Sequence, residues 1–187
     1  MADLAALVAH VLALQPKGQR VLVAISGPPA SGKSTLAADL VAHLGSNAAL
    51  VPMDGFHLDN SVLTARGILQ RKGAPETFDA LGFAHMVHRL AREDEVVIPT
   101  FVRARDIAIA GANVIGPEID IAVVEGNYLL LDAVPWRGLR NLWDCAIALE
   151  VPMETLRQRL VQRWLDHGLD QAKAILRAEA NDLPNAE

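Results

Sequence analysis

Gly27-Pro28-Pro29-Ala30-Ser31-Gly32-Lys33-Ser34 lies between a short apolar run, Arg20 to Ser26, and a stretch, Lys33 to Leu44, that reads as a helix ending at Gly45. The octet fits the pattern G-x-x-x-x-G-K-[ST], and it has the strand–loop–helix context that the pattern requires. The residue types follow from the chemistry. Gly27 and Gly32 let the backbone curl so that N–H groups of the loop, through Ala30 and Ser31, point inward at phosphate oxygens. The start of the helix, at Lys33, Ser34 and Thr35, adds partial positive charge. The Lys33 ammonium suits β- and γ-phosphates, and the Ser34 hydroxyl suits magnesium. The motif predicts a nucleotide site. Alone it does not choose between a kinase, an ATPase and a GTPase.

Working outward, the elements alternate. Leu4, Leu7, Val8, Val11 and Leu12 fall at helical spacing, and Pro16 to Gly18 end that helix. Short apolar runs at Arg20–Ser26, Ala48–Met53, Val96–Phe101, Ile119–Val124 and Cys145–Val151 predict strands. Helices are predicted around Phe83–Leu90, at Glu154–His167 and at Gln171–Ala180. The polar stretch Asn60–Phe78 carries no clear period. Strands separated by helices imply an α/β fold with a mostly parallel central sheet of about five strands and helices on both faces. The 187 residues suffice for one domain, and no linker or repeat divides them.

Composition narrows the classes. Apolar residues make up 51% of the chain and charged residues 21%, enough for a packed core and against wholesale disorder. Seventeen basic against 22 acidic side chains give a net charge of -5, which disfavours a generally basic nucleic-acid or membrane-surface binder. Only 4% aromatic residues argues against base-stacking platforms. One cysteine, Cys145, excludes a disulfide within the chain and is expected in the core. Asp3 stands where a secretory leader would carry positive charge, and no apolar run reaches membrane-spanning length. The expectation is a cytoplasmic protein, with its oligomeric state open.

Two carboxylates end predicted strands. Asp54 follows the second, in Met53-Asp54-Gly55-Phe56, and Glu125 follows the fourth. If the strands are parallel, both lie with the phosphate loop on one edge of the sheet, where open α/β sheets bind ligands. Asp54 is then placed to orient a hydroxyl and take its proton, and Glu125 to hold magnesium directly or through water. Asp-Gly is also a common turn signal. Arg159 and Arg163 share one helical face and suit developing phosphate charge, although Arg157 and Glu154 nearby fit a solvated face equally. Arg66, Arg71 and Lys72 are candidates for an acceptor pocket. His57, Trp136, Trp143 and Trp164 are expected in structural roles.

With these residues placed, the chain resembles the P-loop kinases that include uridine kinase, phosphoribulokinase and bacterial pantothenate kinase. The resemblance rests on Ile25–Ala37, MDGFHLDN (Met53–Asn60), RGILQRKGAPETFD (Arg66–Asp79), VVEGNYLLL (Val123–Leu131) and NDLPNA (Asn181–Ala186). Within that family it is most similar to bacterial proteins described as fructose transport system kinases. The resemblance implies a P-loop NTPase fold with a helical lid bearing Arg159 and Arg163. It also implies ATP and Mg2+ as cofactors, Asp54 as base, and Asn181 and Asn185 near the adenine. Relatives carry an acid after the aromatic of the third-strand segment; here Val102 follows Phe101, with Asp106 as a substitute. A further strand is expected after the NDLPNA stretch.

The implied reaction moves the γ-phosphoryl of ATP to a hydroxyl of a small polar metabolite: a sugar such as fructose, a pantothenate-like hydroxy acid or a nucleoside. A nucleotide-driven switch or ATPase is the rival, although no Asn-Lys-x-Asp guanine motif occurs in the chain. A non-catalytic nucleotide-binding module is a third reading.

Overall fold

A computed structural model describes residues 3–186. In chain order it contains α1 (Leu4–Leu12), β1 (Val21–Ser26), α2 (Lys33–Leu44), β2 (Ala48–Pro52), α3 (Asn60–Ala65), α4 (Ala80–Leu90), β3 (Val96–Val102), β4 (Ile107–Ile115), β5 (Ile121–Gly126), β6 (Cys145–Ala148), α5 (Met153–Asp166) and α6 (Gln171–Arg177). The central sheet has the order β2-β5-β1-β6, and every pair in it is parallel. All residues of β1 and β5 are buried, which explains their unbroken apolar runs.

Alternate side chains of these strands enter two cores. Val21, Val23, Ile25, Ile121 and Val123 pack with Val11 of α1 and with Ala37, Leu40 and Leu44 of α2. Leu22, Ala24, Ala122 and Val124 pack on the other face with Phe83, Val87 and Leu90 of α4 and with Trp136 and Trp143. Each buried aliphatic side chain contributes on the order of 1.5–3 kcal/mol. A third cluster sets Leu156 and Leu160 of α5 against Ala178, with Ala30 of the phosphate loop packed on it. α5 thus packs against the phosphate loop.

Among the described residues the parallel sheet has four strands, not five. The predicted third strand, β3, leaves it and pairs antiparallel with β4 in a separate hairpin. Two features hide β4 in the sequence. Its residues from Ala108 to Val114 are exposed, so it lacks an alternating pattern. Its turn is made by Asp106 in the left-handed conformation (φ 54°), without the usual Asn-Gly or Asp-Gly. The stretch 60–78 folds as α3 and short 3-10 turns. Cys145 is partly exposed and packs against the α1/α2 core.

Candidate active site

Parallel pairing aligns the carboxyl ends of three strands. Ile25 and Ser26 pair with Glu125 and Gly126, and Pro52 also pairs with Glu125. The phosphate loop leaves β1 there, Asp54 follows β2, and Glu125 lies within β5. The phosphate loop and Asp54 border a cavity of about 700 Å3, whereas Glu125 is buried and does not line it.

The loop geometry demands its glycines. Gly32, at the helix start, has φ 95°, in the left-handed region. A Cβ on Gly27 would stand 2.7 Å from Ser31 Oγ and 3.0 Å from Leu149 Cβ. Ser31 Oγ is buried and has no hydrogen-bond partner among the described residues, which fits a loop shaped for phosphate oxygens. Pro29, Ala30, Gly32, Lys33, Ser34 and Thr35 line the cavity, whereas Gly27 and Ser31 shape the loop behind it.

Burial lowers the pKa of Lys33, and the charges of Glu125 and Asp54 oppose that effect. Burial raises the pKa of Glu125, opposed by Lys33 and by the Ser34 hydroxyl beside it. Glu125 is itself only 5% exposed. A cation, a carboxylate and a hydroxyl therefore meet at the start of α2; the two oxygen groups fit a divalent ion, and the ammonium fits phosphate.

A second group of residues faces the loop. Asp54 Oδ2 pairs with Arg103 Nη2 at 2.5 Å. The backbone oxygen of Asp54 accepts from His57 Nδ1 at 2.8 Å, and the His57 ring stacks on Phe101 with centroids 4.6 Å apart. Burial lowers the pKa of His57, opposed by the charge and carbonyl of Asp54. Lys72 and Asp106 both line this end and pair with each other at 2.8 Å. Asn60 Oδ1 and the Asp106 carbonyl take the other donors of Lys72, at 2.7 and 3.1 Å.

The third group comes from α5 and beyond: Arg163, Trp164, His167, Arg177, Asp182 and Asn185. Trp164 donates to Asp182 Oδ2 at 2.5 Å and carries the Arg177 guanidinium 5.3 Å from its ring centroid.

The structure separates some residues that the sequence groups. Arg163 lines the cavity, but Arg159 Nη1 donates to the Ala30 carbonyl at 3.2 Å and braces the phosphate loop from outside. Asn185 lines the cavity, but Asn181 is buried and donates to the Lys72 carbonyl at 3.0 Å. Arg71 pairs with Glu76 at the surface, and Arg66 borders a separate groove beside Trp136. Trp136 and Trp143 are core residues, whereas Trp164 and His57 stand on the cavity wall. Sequence reasoning also missed Arg103, Phe101, Phe78 and Arg177. The basic pair Arg103 and Arg105 directly after a strand was the available signal for Arg103.

No protein-family model matches the chain. A solved structure from Silicibacter sp. TM1040, described as a "putative fructose transport system kinase", is 57% identical over the whole chain, which covers 93% of it, with a TM-score of 0.95. The "Putative uridine kinase C227.14" of Schizosaccharomyces pombe is 35% identical over 183 residues, 89% of this chain and 77% of that one. The pantothenate kinase of Nocardioides sp. is 31% identical over 163 residues, and there the match spans 81% of this chain but only half of that enzyme. Fold, phosphate loop and relatives together define a nucleotide-binding phosphotransferase of the P-loop class. The chain belongs to the P-loop kinase family of uridine kinase-like and pantothenate kinase-like enzymes. Among the described residues, no helix is long and apolar enough to cross a membrane.

Proposed function

We propose that this kinase, on one P-loop domain, transfers the γ-phosphoryl of ATP to a hydroxyl group of a small polar metabolite. One observation carries the reading: Lys33 of the phosphate loop and Asp54 after the neighbouring strand end line the same cavity. In a switch ATPase the same carboxylate would meet only water, and the kinase relatives favour a small-molecule acceptor.

In this reading the loop N–H groups and Lys33 bind and orient the phosphates. Ser34 and Glu125 would hold magnesium, which would supply positive charge against the phosphates. Arg103 occupies Asp54 Oδ2, which leaves Oδ1 for the acceptor hydroxyl. Asp54 takes the proton as the acceptor oxygen bonds to the γ-phosphorus, the bridging P–O bond breaks, and ADP leaves. Arg163 reaches the cavity from the lid, and Arg159 holds the loop backbone for it. Of the two asparagines Asn185, which lines the cavity, is the candidate for the adenine, since the Asn181 amide is committed to the Lys72 carbonyl. Closure of the lid keeps water from the γ-phosphate. Fructose, named in the Silicibacter relative's description, is one acceptor with a suitable hydroxyl; hydroxy acids are another. A cytoplasmic location, where ATP and magnesium are at hand, is part of this reading.

The test is transfer of label from γ-labelled ATP into an acid-stable phosphoester of an added acceptor. Label appearing there supports the reading, and label released only as inorganic phosphate rejects it.

A further inference from the structure

The acceptor end of the cavity has few polar groups to spare. Lys72 has three N–H donors, and Asn60 Oδ1, Asp106 Oδ1 and the Asp106 carbonyl take them. His57 Nδ1 is committed to the Asp54 carbonyl, and Phe78 and Phe101 supply apolar wall. Neither the Lys72 ammonium nor His57 Nδ1 is therefore free to meet an acceptor.

Arg103 is the exception. It lies in the turn between β3 and β4, its side chain is 63% exposed, and it faces the cavity. Of its five N–H groups one meets Asp54, its one hydrogen-bond partner among the described residues. The planar fork of a guanidinium matches carboxylate and phosphate oxygens. Charge balance points the same way. Once Asp54 accepts the proton of the acceptor hydroxyl, Arg103 loses its counter-ion. A negative group on the acceptor would replace it at the moment of transfer.

We propose that the acceptor carries an oxyanion, a carboxylate or a phosphate, near the hydroxyl that is phosphorylated, and that Arg103 is the residue that selects it. This inference rests on the kinase reading above and narrows it away from free sugars and nucleosides.

The experiment compares acceptors in pairs that differ in charge: glycerate with glycerol, pantothenate with pantothenyl alcohol, and fructose 6-phosphate with fructose. ADP release is followed for the wild type, Arg103→Gln and Arg103→Lys. In at least one pair the anionic member should have kcat/KM about 10–100-fold above its neutral partner, the range for a charged hydrogen bond. The first two pairs report a carboxylate and the third a phosphate. Arg103→Gln should remove that advantage while KM for ATP changes by less than about twofold. Arg103→Lys, which keeps the charge without the fork, should restore part of it. Neutral acceptors used as well as their anionic partners, or an equal loss with both members in Arg103→Gln, would overturn the inference and leave the kinase reading standing. ADP release that no acceptor stimulates would remove both.

Discussion

The Lys72 ammonium lies 2.8 Å from Asp106 Oδ1, and the Lys72 side chain is 10% exposed. Both residues read from the sequence as acceptor contacts, yet the structure binds them to each other. The pair ties the β3–β4 turn to Asn60 at the start of α3, and so fixes the hairpin that presents Phe101 and Arg103. Lys72→Met should free the hairpin. Hydrogen exchange of residues 96–115 should accelerate, and the acceptor KM should rise about tenfold, with KM for ATP nearly unchanged. Unchanged exchange would mean that the tie does not hold the hairpin.

Gly27 tests the loop. The Cβ of Gly27→Ala would collide with Ser31 Oγ and crowd Leu149. Either the loop moves or Ser31 does, and both displace phosphate-facing N–H groups. We expect ATP binding to weaken by about tenfold or more, read by calorimetry, with the circular dichroism spectrum preserved.

Arg20 tests the fold away from the site. It is 2% exposed, and its guanidinium donates to the carbonyls of Leu90, Glu93, Asp94, Gly116 and Ile119. One side chain thereby joins the end of α4 to the chain between β4 and β5. Arg20→Met fills similar space but leaves those carbonyls without donors. Denaturant unfolding should show a loss of about 3 kcal/mol or more. A loss under about 1 kcal/mol would show that solvent replaces the guanidinium.

His57 gives stability a pH dependence with a definite sign. Burial, partly offset by the charge and carbonyl of Asp54, lowers its folded-state pKa below the ordinary 6.5. The unfolded chain therefore takes up a proton that the folded chain refuses. The contribution of His57 is complete above about pH 6.5 and falls as pH drops from there through the lower folded value. His57→Phe keeps an aromatic ring against Phe78 and Phe101 without this titration. Its unfolding free energy should decline less than the wild type's between about pH 7.5 and about pH 5.5. Equal declines would place the titration elsewhere.

The legible parts of this molecule are those governed by local chemistry. The loop Gly27–Ser34, the buried strands β1 and β5, and the carboxylates Asp54 and Glu125 could all be placed from residue order, because parallel pairing puts strand ends on one edge. The hairpin could not. An exposed strand such as β4 buries too little to show a period, and a turn set by Asp106 has no standard signal. Arg103 stayed hidden for the same reason, since its place depends on where the hairpin folds back. Arg159 and Arg163 show the limit of helical spacing. A shared face puts both near the loop, but tertiary packing decides that one grips its carbonyls while the other meets the cavity.

The central claim is that Asp54 serves the acceptor and not the nucleotide. The most direct measurement is ADP release by Asp54→Ala with ATP, magnesium and a stimulating acceptor, beside ATP affinity measured by calorimetry. The account predicts a fall in acceptor-stimulated turnover of about 100-fold or more, the scale of a lost general base, with ATP affinity within about threefold of wild type. Turnover close to wild type would return Asp54 to the role of a turn residue and contradict the account.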